Sequence, residues 1–330
     1  MKYRTFKIMA YIVGTLVAPA AIAASVTIRF PVEYSPDILV GQSNRDFIQR
    51  VEQSSEGRIK VRFSPNGATF KGNELVQALL RGDAQMTTAI PAFWSSISPR
   101  VQLLDLPYAF PSEAVFDRLA SNKELVQRVY SEVEAKGAKV LGLMRTGYII
   151  PGTRDRQLIT PADFDGVKLR GMGKVNTMTV KALGANAISL NVTEVMPAIQ
   201  QGLVDGTQTL IDVYTEYKYY DYLKHITHAH YQLLYYPWTV NARWWDSLEE
   251  SDRALIQKAV DEAIEAHHVK VDEMAAAAET ELRSHGVNIV RLTPEQEQAL
   301  AERTRSVWTE LEGEIGKELM TDFERMRDGQ

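Results

Sequence analysis

The sequence predicts an α/β protein of two similar lobes with a crevice between them. Three observations carry this prediction: strands and helices alternate early in the chain, one helix-to-strand phrase occurs twice, and the C-terminal part is almost entirely helical. The 330 residues suit two domains of roughly 100 to 200 residues each. A hydrophobic fraction of 45% is ordinary for a chain that builds a globular core.

The first unit alternates strands with helices. Residues 25–30 (SVTIRF) alternate in polarity and are rich in β-branched side chains, which predicts a strand. A helix is predicted over 37–55 and a second strand over 59–63. Asn73 is the predicted N-cap of a further helix that ends at Gly82. This order is typical of a parallel sheet flanked by helices.

The segment ELVQALLRG (74–82) is repeated in similar form as EVMPAIQQG (194–202). Asn73 and Thr193, which precede the two segments, are both N-cap types. Each closing glycine suits the left-handed residue that ends a helix before a strand. The alternative is a chance match, because many helices begin with an N-cap residue and end with a glycine. Duplication predicts two α/β lobes, and ligands in such sheets bind at the carboxyl ends of the strands.

The rest of the chain is predicted to be mostly helical. Residues 247–285 are rich in Ala, Glu and Lys and predict one or two extended helices. Thr293 and Pro294 have the residue types of an N-cap and a first helical position. They open a predicted amphipathic helix that continues to about Arg327.

The segment TPADFDGVKLRG (160–171) contains the most informative charged residue. Thr160 opens a helical turn, and VKLR predicts a strand that ends in Arg170. Strand alternation places Lys168 and Arg170 on one face. An arginine at a strand end in the crevice presents a planar fork that suits a carboxylate. The alternative is a salt bridge on the surface.

Composition excludes several function classes. The chain has no cysteine, which excludes a disulfide framework, thiolate metal sites and cysteine nucleophiles. A net charge of −5 argues against nucleic acid as a partner, and no Walker, GxGxxG, HExxH or GxSxG motif is present. Because His225, His228 and His230 do not share one face of a helix or strand, no metal is expected. His267 and His268 are expected to be a solvated pair on a helix.

The first residues have the layout of a secretory signal. Residues 1–7 are basic, residues 8–23 are uncharged, and 21–23 (AIA) supply small residues for cleavage. A membrane anchor is the alternative, but the uncharged stretch is shorter than the roughly 20 residues that span a bilayer, and Pro19 interrupts it. We therefore predict a signal peptide over 1–24 and a periplasmic product.

Four segments together resemble the DctP-type solute-binding proteins of TRAP (tripartite ATP-independent periplasmic) transporters. FDGVKLRGMG (164–173) is followed by KALGANAISLNVTEVMPAIQQGLVDG (181–206). GRIKVRFSPNGATFKGNELVQALLRGDAQM (57–86) and LLDLPYAF (103–110) are similar to the same family. The resemblance covers the whole mature chain in order.

The resemblance implies a two-lobed periplasmic solute-binding fold with a long helix that spans both lobes. One lobe is expected over 25–147 plus 236–275, and the other over 148–235 plus 276–330. Such a protein captures its ligand by hinge closure and delivers it to membrane permease subunits. It is neither an enzyme nor a cofactor carrier, and a monomer is expected.

The resemblance also implies the site. Arg170 corresponds to the arginine that pairs with the ligand carboxylate, and Thr209 stands where the family often has a ligand-binding asparagine. Ile150 replaces a basic residue of sialic-acid-binding members, which disfavours sialic acid. The loop residues Glu33 and Tyr34 face the cleft in relatives. The predicted ligand-binding residues are Arg170, Glu33, Phe93, Thr209, Asp212, Arg145, Tyr148, Met172, Trp238 and Tyr214; for those outside the Arg170 position, a role in the core or on the surface is the alternative.

The charges of these residues order the ligand classes. Arg170 favours an anion, whereas Glu33 and Asp212 disfavour a second carboxylate nearby and suit hydroxyl or ammonium donors. A monocarboxylate, such as a sugar acid or a hydroxy or keto acid, is therefore predicted first. An ectoine-like or amino-acid-like zwitterion comes second; Glu33, Tyr34, Phe93 and Arg170 resemble the set of ectoine-binding relatives, although Asp212 stands where those carry an aromatic residue. A C4-dicarboxylate comes third. A periplasmic enzyme and a ligand-free interaction protein are the alternatives from other classes.

Overall fold

A computed structural model describes residues 26–329; the predicted signal peptide therefore lies outside the described residues. The strands form three sheets. The strands are β1 (Val26–Pro31), β2 (Ile59–Ser64), β3 (Met86–Thr87), β4 (Ala138–Tyr148), β5 (Ile150–Thr153), β6 (Lys168–Gly171), β7 (Asn186–Ser189), β8 (Gly206–Thr209), β9 (His225–His228), β10 (Leu233–Asn241) and β11 (Asn288–Arg291).

Helices cover the sheets and dominate the C-terminal part. The helices are α1 (Leu39–Ser54), α2 (Asn73–Arg81), α3 (Pro91–Trp94), α4 (Glu113–Ser121), α5 (Lys123–Ala135), α6 (Pro161–Phe164), α7 (Gly173–Leu183), α8 (Val192–Gln200), α9 (Ile211–Glu216), α10 (Ala242–Asp246), α11 (Glu250–Ser284), α12 (Pro294–Ile315) and α13 (Lys317–Asp328). No helix among the described residues is long and apolar enough to cross a bilayer.

The sheets are parallel where the sequence predicts strand–helix alternation and antiparallel elsewhere. β1 pairs with β2 in parallel, and β6 is parallel to both β7 and β8. The largest sheet has the order β11-β9-β5-β8-β6-β7, in which β5 runs antiparallel to β8 and β9. The third sheet is antiparallel, with β10 between β3 and β4. The prediction of a parallel sheet is therefore correct only for part of the strands.

In the structure, each of the two repeated segments, 74–82 and 194–202, is a helix that leads into a strand. Gly82 and Gly202 have φ values of 90° and 68°, so both adopt the left-handed conformation that the sequence predicts. The predicted N-caps are wrong by one or two positions. Gly72 precedes α2, and Asn191 precedes α8, where its backbone N–H donates to Glu194 Oε2 at 2.9 Å.

The long C-terminal helix is a single element. α11 contains 35 residues and is therefore about 52 Å long at 1.5 Å per residue. It packs against α1 and β4 from the early chain and against α9 from the middle of the chain. It thus connects the regions that carry the different sheets.

The final predicted helix is two helices. Thr293 caps α12, as predicted, and accepts a hydrogen bond from Gln296 N at 3.3 Å. Gly316, with φ 100°, ends α12 and begins α13, so the predicted single helix to Arg327 is wrong. α13 turns back against α4 and α5, where the ring of Phe323 lies 5.5 Å from that of Phe110.

Candidate functional site

A cavity of about 470 Å³ lies between the early and middle parts of the chain. One wall comes from the loop after β1 and from the N-terminal ends of α2 and α3. Another wall comes from the last residues of β6, β7 and β8 and from the residues that follow these strands. Because β6, β7 and β8 are parallel, their carboxyl ends meet at one edge, where ligands bind in open α/β sheets.

Arg170 lies in this wall and is only 4% exposed. Its neighbour Leu169 points into the core, as strand alternation requires. The Arg170 Nε donates to Leu190 O at 3.0 Å, but its terminal nitrogens donate no hydrogen bond to any described residue. Burial lowers the pKa of the guanidinium. The predicted alternative, a surface salt bridge, is thus wrong, because Arg170 is buried in the cavity lining.

A buried amide network, which sequence reasoning missed, fixes the strand end behind Arg170. Asn176 Oδ1 accepts from Met172 N at 2.8 Å and from Gln208 Nε2 at 2.7 Å. Gln208 Nε2 also donates to the Arg170 carbonyl at 3.2 Å, and Asn176 Nδ2 donates to Gln232 Oε1 at 2.8 Å. These amides are buried, so they hold the guanidinium at one place in the wall.

Glu33 is the second buried ionisable residue of the cavity and is 5% exposed. Its Oε2 accepts from Gly72 N at 3.3 Å. Its Oε1 is buried and has no hydrogen-bond partner among the described residues. Burial raises the pKa of Glu33, and attraction to Arg170 opposes that shift. An unpartnered buried oxygen favours a ligand that donates a hydrogen bond.

Three other predicted residues also line this cavity. Phe93 belongs to α3, Met172 directly precedes α7, and Thr209 ends β8. Tyr34 also lines the cavity, but its hydroxyl hydrogen-bonds to Thr88 and accepts from Asn44 Nδ2 at 2.8 Å, so it is already partnered.

Two charged residues that were not predicted, Lys174 and Glu314, also line this cavity. The Lys174 Nζ lies 2.6 Å from both carboxylate oxygens of Glu314, and Gln102 Nε2 donates to Glu314 Oε2 at 3.4 Å. Lys174 follows β6, so the strand-end rule could have suggested it. Glu314 comes from the end of α12, and no sequence pattern connects that distant helix with the crevice.

Three of the predicted ligand residues lie outside this cavity, because each contacts other parts of the protein. Trp238 is fully buried in the core between Phe30 and Phe47. The buried Tyr214 hydroxyl donates to Ile150 O at 2.8 Å and to Thr207 O at 3.0 Å. Arg145 forms ion pairs of 2.5 and 2.9 Å with the acidic residues of α4.

Asp212 and Tyr148 also lie away from Arg170. They line a separate cavity of about 140 Å³ beside α11. Asp212 Oδ2 accepts from Leu39 N at 2.9 Å, and the Tyr148 hydroxyl donates to Phe110 O at 3.0 Å. The structure therefore brings together five of the predicted ligand residues, namely Arg170, Glu33, Phe93, Thr209 and Met172. Among residues 26–329 no three His, Asp or Glu side chains are grouped as metal ligands.

The chain is similar in sequence to the members of a known protein family. Residues 32–314 match the profile DctP, described as bacterial extracellular solute-binding protein, family 7. The C4-dicarboxylate-binding periplasmic protein DctP of Shewanella loihica is 28% identical over 304 residues, which are 90% of this chain and 89% of that protein. The ectoine-binding periplasmic protein TeaA of Halomonas elongata is 27% identical over 83% of this chain and 82% of its own length.

Solved structures share the fold. The sugar acid binding protein of Advenella mimigardefordensis, in complex with galactonate, has a TM-score of 0.87 at 23% identity and covers 93% of this chain and 99% of its own. A TRAP periplasmic solute-binding protein of Shewanella oneidensis with bound succinate has a TM-score of 0.86 at 24% identity. It covers 92% of this chain and 100% of its own. The fold is therefore the two-lobed α/β fold of these proteins, as predicted.

Proposed function

The chain belongs to family 7 of the bacterial extracellular solute-binding proteins, the DctP-type binding proteins of TRAP transporters, and from this premise we propose that it captures one small carboxylate-bearing solute by hinge closure. Capture takes place in the periplasm, and the loaded protein delivers the solute to the permease subunits in the membrane. The protein works by binding rather than by catalysis and needs no cofactor.

The main support for the proposal is that Arg170 lies buried in the cavity lining without an ion-pair partner among the described residues. Its two terminal nitrogens have no carboxylate partner among these residues, and such a guanidinium suits a carboxylate that binds in a bidentate way. Desolvation of both charges in a closed cavity strengthens the pair well beyond the roughly 0 to 1 kcal/mol of a surface ion pair.

The proposed movement is a rotation of two lobes, one formed by 25–147 plus 236–275 and the other by 148–235 plus 276–330. Glu33 and Phe93 come from the first lobe, whereas Arg170, Met172 and Thr209 come from the second. A ligand that contacts both sets favours the closed form in proportion to its differential affinity for the two forms.

Within the carboxylates, we favour a monocarboxylate with hydroxyl groups, such as a sugar acid or a hydroxy or keto acid. The unpartnered Glu33 Oε1 accepts a hydrogen bond from such a ligand. The galactonate bound by the Advenella mimigardefordensis protein belongs to this class. A C4-dicarboxylate comes third because its second carboxylate meets Glu33, although the Shewanella loihica relative carries that ligand in its name.

The second candidate is an ectoine-like or amino-acid-like zwitterion. A buried carboxylate at Glu33 and a buried guanidinium at Arg170 are complementary to the cationic and anionic ends of such a ligand. The relative from Halomonas elongata is named for ectoine binding.

A thermal-shift screen with organic acids, sugar acids and compatible solutes tests the proposal. A ligand present at 100 times its Kd adds about 2.7 kcal/mol to the free energy of unfolding. Arg170→Ala removes two charge-assisted hydrogen bonds, so we expect it to weaken binding about 100-fold or more. The measurement is isothermal titration calorimetry with the acid that gives the largest shift.

Arg156→Ala is the matched control, because Arg156 is exposed and lies outside the cavity. Its affinity should equal that of the natural protein. Retention of affinity within a factor of two in Arg170→Ala would show that the carboxylate does not bind at Arg170. Turnover of any screened acid by the purified protein would instead indicate an enzyme.

A further inference from the structure

Four charged side chains line the main cavity, and their formal charges cancel. Within the described residues these are Glu33, Arg170, Lys174 and Glu314. Arg170 and Lys174 both come from the carboxyl end of β6 and the first turn of α7. Since the lining is neutral as a whole, the charge of the ligand sets the charge of the closed cavity.

The two cations differ in what they offer a ligand. Arg170 has terminal donors that hydrogen-bond to no described residue, whereas Lys174 is held by both oxygens of Glu314 at 2.6 Å. The ion pair lowers the pKa of Glu314, so Glu314 stays ionised at neutral pH. The two side chains are 45% and 46% exposed, so this ion pair lies in the solvent-exposed part of the cavity lining, where Glu314 already balances the charge of Lys174 before any ligand enters.

We propose that Glu314 is a specificity-determining residue that restricts the cavity to ligands with a single carboxylate, because it occupies the second cation, Lys174. This inference rests on the proposed function and deepens it. A second ligand carboxylate would meet Glu33 or Glu314, or would have to displace Glu314 from Lys174. Each case places like charges close together or breaks an ion pair, which is how a site rejects the wrong partner.

A purely structural role for the ion pair gives a different expectation. Lys174, Glu314 and Gln102 connect α7, α12 and the turn Pro99–Asp105. If Glu314 only held these elements together, its loss would lower the affinity for every ligand by the same factor. A specificity role changes the ratio of affinities between a monoacid and a diacid of the same shape.

Galactonate and galactarate are such a pair, because they share a carbon skeleton and differ only in a terminal hydroxymethyl group or carboxylate. Calorimetry is done on the natural protein, on Glu314→Gln and on the double variant Glu314→Gln with Lys174→Gln. We expect the natural protein to prefer galactonate at least tenfold. Glu314→Gln should shift the ratio of affinities about tenfold toward galactarate, and the double variant should lose that gain.

Glu312→Gln is the matched control. Glu312 lies on the same helix and pairs with Lys317 at 3.9 Å, but it does not line the cavity. This variant should leave both affinities unchanged.

Three results of the calorimetry with galactonate and galactarate would overturn the inference. These are equal affinity of the natural protein for the two acids, an equal change for both acids in Glu314→Gln, and a gain that persists without Lys174. If neither sugar acid binds, 4-hydroxybutanoate and succinate form the second pair, and failure of both pairs also overturns it. The proposed function fails separately, when no acid in the whole screen raises the melting temperature.

Discussion

At the scale of single residues, we expect Glu33 to distinguish the two ligand classes that we propose first and second. Its Oε1 is buried without a hydrogen-bond partner in the described chain, so we expect the bound ligand to supply the donor. An ammonium or amidinium group interacts with the carboxylate charge, whereas a hydroxyl needs only an acceptor. Glu33→Gln keeps the shape and an acceptor oxygen but removes the charge.

We therefore expect Glu33→Gln to lower the affinity for a zwitterion about tenfold or more. The affinity for a hydroxy acid should change by less than about threefold. Titration of the variant with ectoine and with galactonate measures both. Glu273→Gln is the control, because Glu273 is exposed on α11 and lies outside the cavity lining. Equal losses for the two ligand classes would contradict the assignment of Glu33 as the charge-selective residue.

Single residues were predictable where local geometry decides their position. Strand alternation and the strand-end rule made Arg170 a candidate for the crevice, but they left a surface salt bridge open, and the resemblance to a family was needed to choose between the two. His267 shows the limit: it was expected in solvent, but it is 1% exposed, and its Nδ1 lies 2.8 Å from Ser43 Oγ. Burial lowers the pKa of His267 to about 3. Its partner comes from α1, far away in the chain, so the local sequence holds no signal for it.

At the scale of elements, the contact between α3 and α7 joins the two walls of the cavity. Gly173, the first residue of α7, has φ 78°, and a Cβ added there would lie 2.5 Å from Ala92 Cβ. That contact requires glycine for space as well as for conformation. Gly286 has nearly the same φ, 76°, but nothing lies within 4 Å of its added Cβ.

Gly173→Ala and Gly286→Ala should therefore both destabilise the protein by about 1 to 2 kcal/mol, because each forces alanine into the left-handed region. Only Gly173→Ala should also weaken ligand binding, by about tenfold or more, since the new methyl group separates α3 from α7. Chemical denaturation and calorimetry measure the two effects. Ala92→Gly in the Gly173→Ala background should restore affinity; a loss that this second change does not relieve would argue against the steric explanation.

Elements were predictable in type and less so in their ends and partners. β1, α1 and β2 were expected and are present, because their periodicity is strong. The cap positions at Gly72 and Asn191 were missed, since several neighbouring residues are suitable caps. The break at Gly316 was missed because a lone glycine inside a helical pattern is often tolerated. The antiparallel partners of β10 come from distant segments that alternation does not reveal.

At the scale of the whole molecule, the site combines segments that lie far apart in sequence. Glu33, Arg170 and Glu314 line one cavity, although only Glu33 and Arg170 could be predicted, from their resemblance to a family. Glu314 reaches the cavity because α12 packs against α7, a tertiary arrangement without a local pattern. The hinge movement that we propose concerns the same scale, because it changes how these segments meet.

The absence of cysteine permits a direct test of that movement, since two introduced cysteines are the only labelling sites. Gln77 and Lys181 are exposed, and they lie on α2 and α7, whose N-terminal residues both line the cavity. With spin labels at Gln77→Cys and Lys181→Cys, we expect electron–electron resonance to show a shorter distance when the acid found in the screen is saturating. Labels at Gln77→Cys and Lys123→Cys, both in the first proposed lobe, should keep their distance. A Gln77–Lys181 distance that stays constant while the acid raises the melting temperature would mean that binding occurs without closure.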